Sequence, residues 1–207
     1  MDECCKVITI SERQRRVFLT VLWINVTLFL VEALAGIVSY STALLADSVD
    51  MLGDAIVYGF SLYVIGRGAV WQTRAALLKG VIMAAFGAGV LAQVVIKIFH
   101  GLTPNAEVMG IVGVLALAAN VWCFMLLWRH RGGDINMRSA WVCSRNDVIG
   151  NVGVLFAAIA VSLTGSPWPD ILVGLLVAMV FCHSAIQIIR DSSREVRSQI
   201  QAATRSA

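Results

Sequence analysis

The chain has 207 residues, of which 58% are hydrophobic and 14% charged, with a formal net charge of +3; its mean hydropathy is +0.80. Soluble domains average roughly 45–50% apolar and about 25% charged residues, so this composition excludes an ordinary water-soluble protein. At about 20 apolar residues per span, the length accommodates six membrane helices with short loops and no sizeable soluble domain.

Residues 1–16 are polar and end in Glu12-Arg13-Gln14-Arg15-Arg16. The apolar run beyond them is too long for the core of a signal peptide, so they read as a short cytoplasmic tail. Apolar runs then fall near 17–39, 43–66, 77–99, 107–128, 141–164 and 169–189, each able to cross about 30 Å of hydrocarbon as a helix. Turn-forming residues separate them: Ser39-Tyr40-Ser41, Gly66-Arg67-Gly68, Gly101 to Asn105 with Pro104, Arg129 to Asp134, and Gly165 to Pro169. The polar stretch 190–207 is expected to be a frayed helix or a disordered cytoplasmic tail. The expected architecture is an all-α bundle of six transmembrane helices, with a transport domain over 17–189 and both termini cytoplasmic.

The orientation comes from the basic residues. Lys6, Arg13, Arg15, Arg16, Arg67, Arg74, Lys79, Arg129, Arg131, Arg138, Arg190, Arg194, Arg197 and Arg205 all fall on the side of the termini, and Lys97 alone falls on the other. That asymmetry places the termini in the cytoplasm. The five cysteines, Cys4, Cys5, Cys123, Cys143 and Cys182, are odd in number and scattered, so they suggest no disulfide framework. They read mostly as buried apolar thiols.

Ionisable residues inside a bilayer cost several kcal/mol each and are usually kept for function. This chain carries Glu32 in the first span, Asp47, Asp50 and Asp54 in the second, and Asp147 in the fifth. Asp50 and Asp54 are four apart and share a helix face; Asp47 continues that stripe one turn outward. Cys143 and Asp147 repeat the four-residue spacing on the fifth span. Two pairs of potential ligands on two helices suit a four-coordinate metal site. A bound dication would offset the repulsion between the carboxylates, and without it one or more should take up protons, because ionising neighbouring acids in a low dielectric is costly. Such a site exchanges metal for protons by its own electrostatics. The plainer alternative is that one aspartate caps a helix and the rest line a polar bundle interior.

The stretch Asn25, Phe29, Glu32, Gly36 and Ser41-Thr42-Ala43-Leu44-Leu45-Ala46-Asp47-Ser48-Val49-Asp50-Met51-Leu52-Gly53-Asp54 resembles the first two spans of the cation diffusion facilitator family. The stretch from Asn136-Met137-Arg138 through Cys143 and Asp147 to Gly153 resembles its fifth, and Thr164-Gly165 through Asp170 to Arg190-Asp191-Ser192 is similar to its sixth. The resemblance implies metal ligation by Asp50, Asp54, Cys143 and Asp147, with Asp47 behind the ligands or on the exit path. It puts Cys143 where zinc members usually carry His. A thiolate is softer than imidazole and favours Zn²⁺ or Cd²⁺ over Mn²⁺ or Mg²⁺. A rival register pairs Asp147 with Asn151 and would suit harder ions such as Mn²⁺, Fe²⁺ or Co²⁺.

The family usually continues past its sixth span into a cytoplasmic metal-sensing domain that helps it dimerise, whereas this sequence stops at Ala207 and its loop between spans four and five holds only His130. A homodimer and metal capture by that loop are correspondingly weaker expectations. Arg145 projects roughly 200° around the helix from the ligand positions and is expected to snorkel to the cytoplasmic interface. Cys4-Cys5 could hand over a soft metal. His183 reads as a satisfied bundle histidine, and most of the tryptophans as interfacial anchors. No Gly-x-x-x-x-Gly-Lys loop is present, so transport would run on ion gradients. The expected function is therefore metal efflux by proton antiport in a bacterial inner membrane, with the lipid bilayer, divalent metal and protons as partners and with no resident cofactor, nucleic acid or enzymatic site. The alternative is a non-transporting metal sensor or an assembly partner of a longer homologue.

Overall fold

In hydrocarbon the backbone must satisfy its own N–H and C=O groups, so long apolar runs become helices. The computed structural model describes residues 12–64, 69–129 and 135–205. These residues form α1 (Glu12–Ser39), α2 (Thr42–Val64), α3 (Ala69–His100), α4 (Ala106–Trp128), α5 (Ile135–Thr164) and α6 (Trp168–Arg205). No strand occurs among the described residues. Five of the helices, all but α2, are long and apolar enough to cross a membrane. At 23 residues α2 is also long enough, at about 1.5 Å per residue; the three aspartates set it apart. The chain is a multi-pass, all-α membrane protein.

The helices extend beyond the apolar runs at the end expected to face the cytoplasm. α1 begins at Glu12, α3 at Ala69 and α5 at Ile135, and α6 continues through the polar stretch to Arg205. A helix has no reason to stop where the hydrocarbon stops, because water tolerates a polar helical turn as well as it tolerates a loop.

The other end is tightly built. α1 stops in a Schellman turn: the Ser41 N–H donates to Gly36 O at 2.9 Å and the Tyr40 N–H to Ile37 O at 3.3 Å. Tyr40 occupies the left-handed position of that turn at φ 55°, where a non-glycine residue costs about 1–2 kcal/mol. Gly101 and Gly165, both at φ 62°, follow the ends of α3 and α5 without that cost. Asn105 caps α4 by accepting from the Glu107 and Val108 N–H groups at 3.0 and 3.1 Å. Its own N–H donates to Ser39 O at 3.0 Å and so ties the start of α4 to the end of α1.

The most extensive helix pairings are α1 with α2, α3 with α6, and α4 with α5; α2 also touches α3, α5 and α6. A helix with four neighbours has little surface left for lipid, which is how this bundle carries its most acidic helix. The lipid-facing residues include Leu34, Val38, Phe99, Phe156 and Leu163, all largely exposed.

Candidate metal site

α2 opens on small and apolar residues that pack inward and then presents its aspartates at three- and four-residue spacing. Asp47 and Asp54 are buried and Asp50 is half-buried. The Tyr58 hydroxyl, one turn beyond Asp54, donates to Asp54 Oδ2 at 2.9 Å. Across the interface, α5 contributes Asp147, which is also buried. Asp147 lies within electrostatic reach of Asp54 first, then Asp50, Asp47 and Glu32. The α2 stripe and Asp147, placed on separate helices by the sequence, therefore share one buried region.

Cys143 is on α5, one turn before Asp147; its side chain lies outside the described residues, as do Cys4, Cys5 and His130. Among the described residues, no three His, Cys, Asp or Glu side chains close on one point as a finished metal cage. Asn151 is fully buried. Its Nδ2 donates to Asp147 O at 2.9 Å, while its Oδ1 has no donor among the described residues.

Asp47 has a closer relation to α1 and α5 than its place in the sequence indicates. The side chains of Glu32 and Asp47 approach within hydrogen-bonding reach of each other. Both are buried, and neither oxygen of Glu32, nor Asp47 Oδ2, has a donor among the described residues. Two ionised carboxylates are acceptors only, so this pair requires a proton or cation between them to be satisfied. On the α5 side, a Cβ at Gly150 would stand 3.3 Å from Asp47 Oδ1, so the α5 backbone passes close to that carboxylate. The sequence singles out Glu32 as an intramembrane acid, but nothing in it says which way α1 turns that acid.

Cys123 of α4 lies within electrostatic reach of Asp147 and Asp54. It packs among Phe18, Val21, Tyr58 and Leu127 and is a buried apolar thiol under the site. Arg145 is exposed, with its guanidinium 5.8 Å from the Trp141 ring centroid, a cation–π contact that leads it away from the carboxylates. Trp23, Trp128 and Trp168 are exposed, whereas Trp141 is half-buried against Phe124 and Trp128. His183 departs from expectation: it is exposed rather than inside the bundle, and its Nε2 sits 3.0 Å from Gln187 Nε2. Helical spacing alone left its direction open.

Comparison with known proteins adds to this geometry. The cation efflux transmembrane domain matches residues 18–196. The chain is 31% identical over 186 residues to the zinc transporter ZitB of Yersinia pestis, covering 82% of this chain and 59% of that protein. It is 31% identical over 183 residues to ZitB of Escherichia coli strain K12, covering 81% and 58%. It is 27% identical over 165 residues to the metal cation efflux system protein CzcD of Cupriavidus metallidurans, covering 74% and 52%. The chain thus spans somewhat over half the length of these relatives.

Proposed function

The chain belongs to the cation efflux family, and from that premise we propose that it exports divalent metal ions of the Zn²⁺ or Cd²⁺ type in exchange for protons across the cell membrane. The observation that carries this reading is that α2 packs on α5 with the buried Asp54 and half-buried Asp50 within electrostatic reach of the buried Asp147. In a low dielectric these acids need a positive partner, and both a dication and protons can serve. A metal from the cytoplasm is held by Asp50, Asp54, Asp147 and the thiolate of Cys143. Metal leaves on the opposite side as protons reload the acids, and the helices shift between two arrangements. Glu32 and Asp47 stand next to the site toward that exit and carry positive charge past the first turn of α2.

The relatives named for zinc, and for metal cation efflux, support the cargo class. A second reading replaces Cys143 by Asn151 and shifts the cargo toward Mn²⁺, Fe²⁺ or Co²⁺. One observation favours it: the buried Asn151 Oδ1 lacks a donor. The test is metal uptake into sealed vesicles containing only this protein, with a panel of Zn²⁺, Cd²⁺, Mn²⁺, Fe²⁺ and Co²⁺ and an imposed pH gradient. Uptake of Zn²⁺ or Cd²⁺ that collapses with the gradient is expected. No uptake of any metal would overturn the reading, and uptake of Mn²⁺ alone would move it to the second.

A further inference from the structure

Asp170, in the first turn of α6, is fully buried and lies outside the metal site. It accepts from Ser41 Oγ at 2.5 Å, Thr42 Oγ1 at 2.6 Å, the Thr42 N–H at 2.8 Å and the Ala43 N–H at 3.1 Å. Lys97 of α3 approaches Asp170 Oδ2 at 2.6 Å and also donates to Tyr40 O at 2.6 Å. The Ser41 hydroxyl oxygen in turn accepts from the Leu44 N–H at 3.1 Å. The first three N–H groups of α2 are thus satisfied, two of them by a carboxylate from another helix. The carboxylate also sits at the positive end of the α2 dipole, where an anion is favoured. Gly174, one turn along α6, leaves no space beside this contact: a Cβ there would come within 2.7 Å of Thr42 C and 2.8 Å of Thr42 O.

This arrangement ties one end of the acid-bearing helix to both α3 and α6. We propose that Asp170 and Lys97 are positioning residues for transport, an anchor that fixes the first turn of α2 against the α3–α6 pair so that the helix carrying Asp50 and Asp54 moves about that end. The proposal rests on the transport reading given above. With its first turn fixed, α2 acts as a lever: a small rotation at Thr42 displaces Asp54, three turns along, more than Asp47. The anchor is asymmetric. Asp170 serves several donors and Lys97 supplies only one, so loss of the carboxylate should cost more than loss of the ammonium.

The purified variants Asp170→Asn, Lys97→Met and Lys97→Arg are compared with wild type in three measurements: equilibrium Cd²⁺ binding, initial rate of Cd²⁺ uptake in vesicles, and hydrogen exchange at the amides of residues 42–45. Asp170→Asn is expected to bind Cd²⁺ within about threefold of wild type, to lose at least tenfold in maximal uptake rate, and to exchange those amides at least tenfold faster. Lys97→Met should show the same pattern more weakly, with Lys97→Arg restoring it. Unchanged exchange in Asp170→Asn overturns the anchor. So does an uptake rate equal to wild type, or a rate lost only in proportion to binding. If Asp170→Asn fails to fold, wild-type exchange and uptake in Lys97→Met overturn it equally. If wild type itself moves no metal, the transport reading fails and the positioning role fails with it, while the exchange data still decide whether the tie at the first turn exists.

Discussion

Of the proposed ligands, Asp54 accepts from the Tyr58 hydroxyl and lies within electrostatic reach of Asp147. Asp54→Ala should lower metal affinity by about 100-fold or more, since even groups behind a ligand are worth about 10–100-fold. Membrane insertion should survive, because removing an intramembrane carboxylate makes the span cheaper to bury by about 2.5–3.5 kcal/mol, against about 1 kcal/mol for the Tyr58 hydrogen bond lost. Wild-type Cd²⁺ binding by the purified variant would remove α2 from the site. The choice between Cys143 and Asn151 is decided by a paired measurement. Cys143→Ser should weaken both Cd²⁺ and Zn²⁺ binding, Cys143→His should shift preference from Cd²⁺ toward Zn²⁺, and Asn151→Ala should leave both affinities near wild type. A thiol must also lose its proton to bind, so metal binding by wild type should release more protons than by Cys143→Ser. An intact Cys143→Ser beside a crippled Asn151→Ala would reverse the assignment.

At the scale of elements, α2 decides what the bundle can do. It is the one helix of the six that is not apolar and acid-poor enough to read as an ordinary membrane span, yet it has the most neighbours, and its acids are tolerated because those neighbours keep lipid away. Close approach by α6 depends on Gly174. Gly174→Ala should push α6 from Thr42, destabilising the protein by about 1–3 kcal/mol as overpacking does; a thermal midpoint equal to wild type would show that the helices separate freely there. The pairing of Lys97 with Asp170 also alters the meaning of Lys97 for topology. The one Lys or Arg expected on the non-cytoplasmic side is not a solvated charge but half of a buried ion pair, which sharpens the asymmetry from which the orientation is read.

For the whole molecule, that asymmetry makes a direct prediction. Ser166, in the short connection between α5 and α6, should face outward, and Arg129, at the end of α4, should face the cytoplasm. Ser166→Cys should gain labelling by a membrane-impermeant maleimide over the parent chain in intact cells, and Arg129→Cys should gain it only after permeabilisation. The reverse pattern would invert the direction of transport proposed here. The extended ends of α1, α3, α5 and α6 lie at the Arg129 end, so on this orientation the cytoplasmic side is helical beyond the apolar runs.

Fold class was legible in the residues because membrane spans obey a local rule: about 20 apolar residues must close their own hydrogen bonds, and each run in this chain announces itself without reference to any other. The acids were legible for the same reason, since Glu32, Asp47, Asp50, Asp54 and Asp147 are costly wherever in the bilayer they stand. Contact between helices follows no local rule. That Asp147 comes within electrostatic reach of Asp54, that Glu32 turns to Asp47, and that Asp170 caps a helix 128 residues away from it along the chain depend on the relative rotation and depth of separate helices. Those are set by small-residue contacts such as Gly174 on Thr42 and Gly150 on Asp47, which spacing within one helix cannot reveal. His183 shows the same limit from the other side, an apparent interior histidine that the packing turned outward. The sequence determined which groups are expensive; only the tertiary structure decided which of them share the expense.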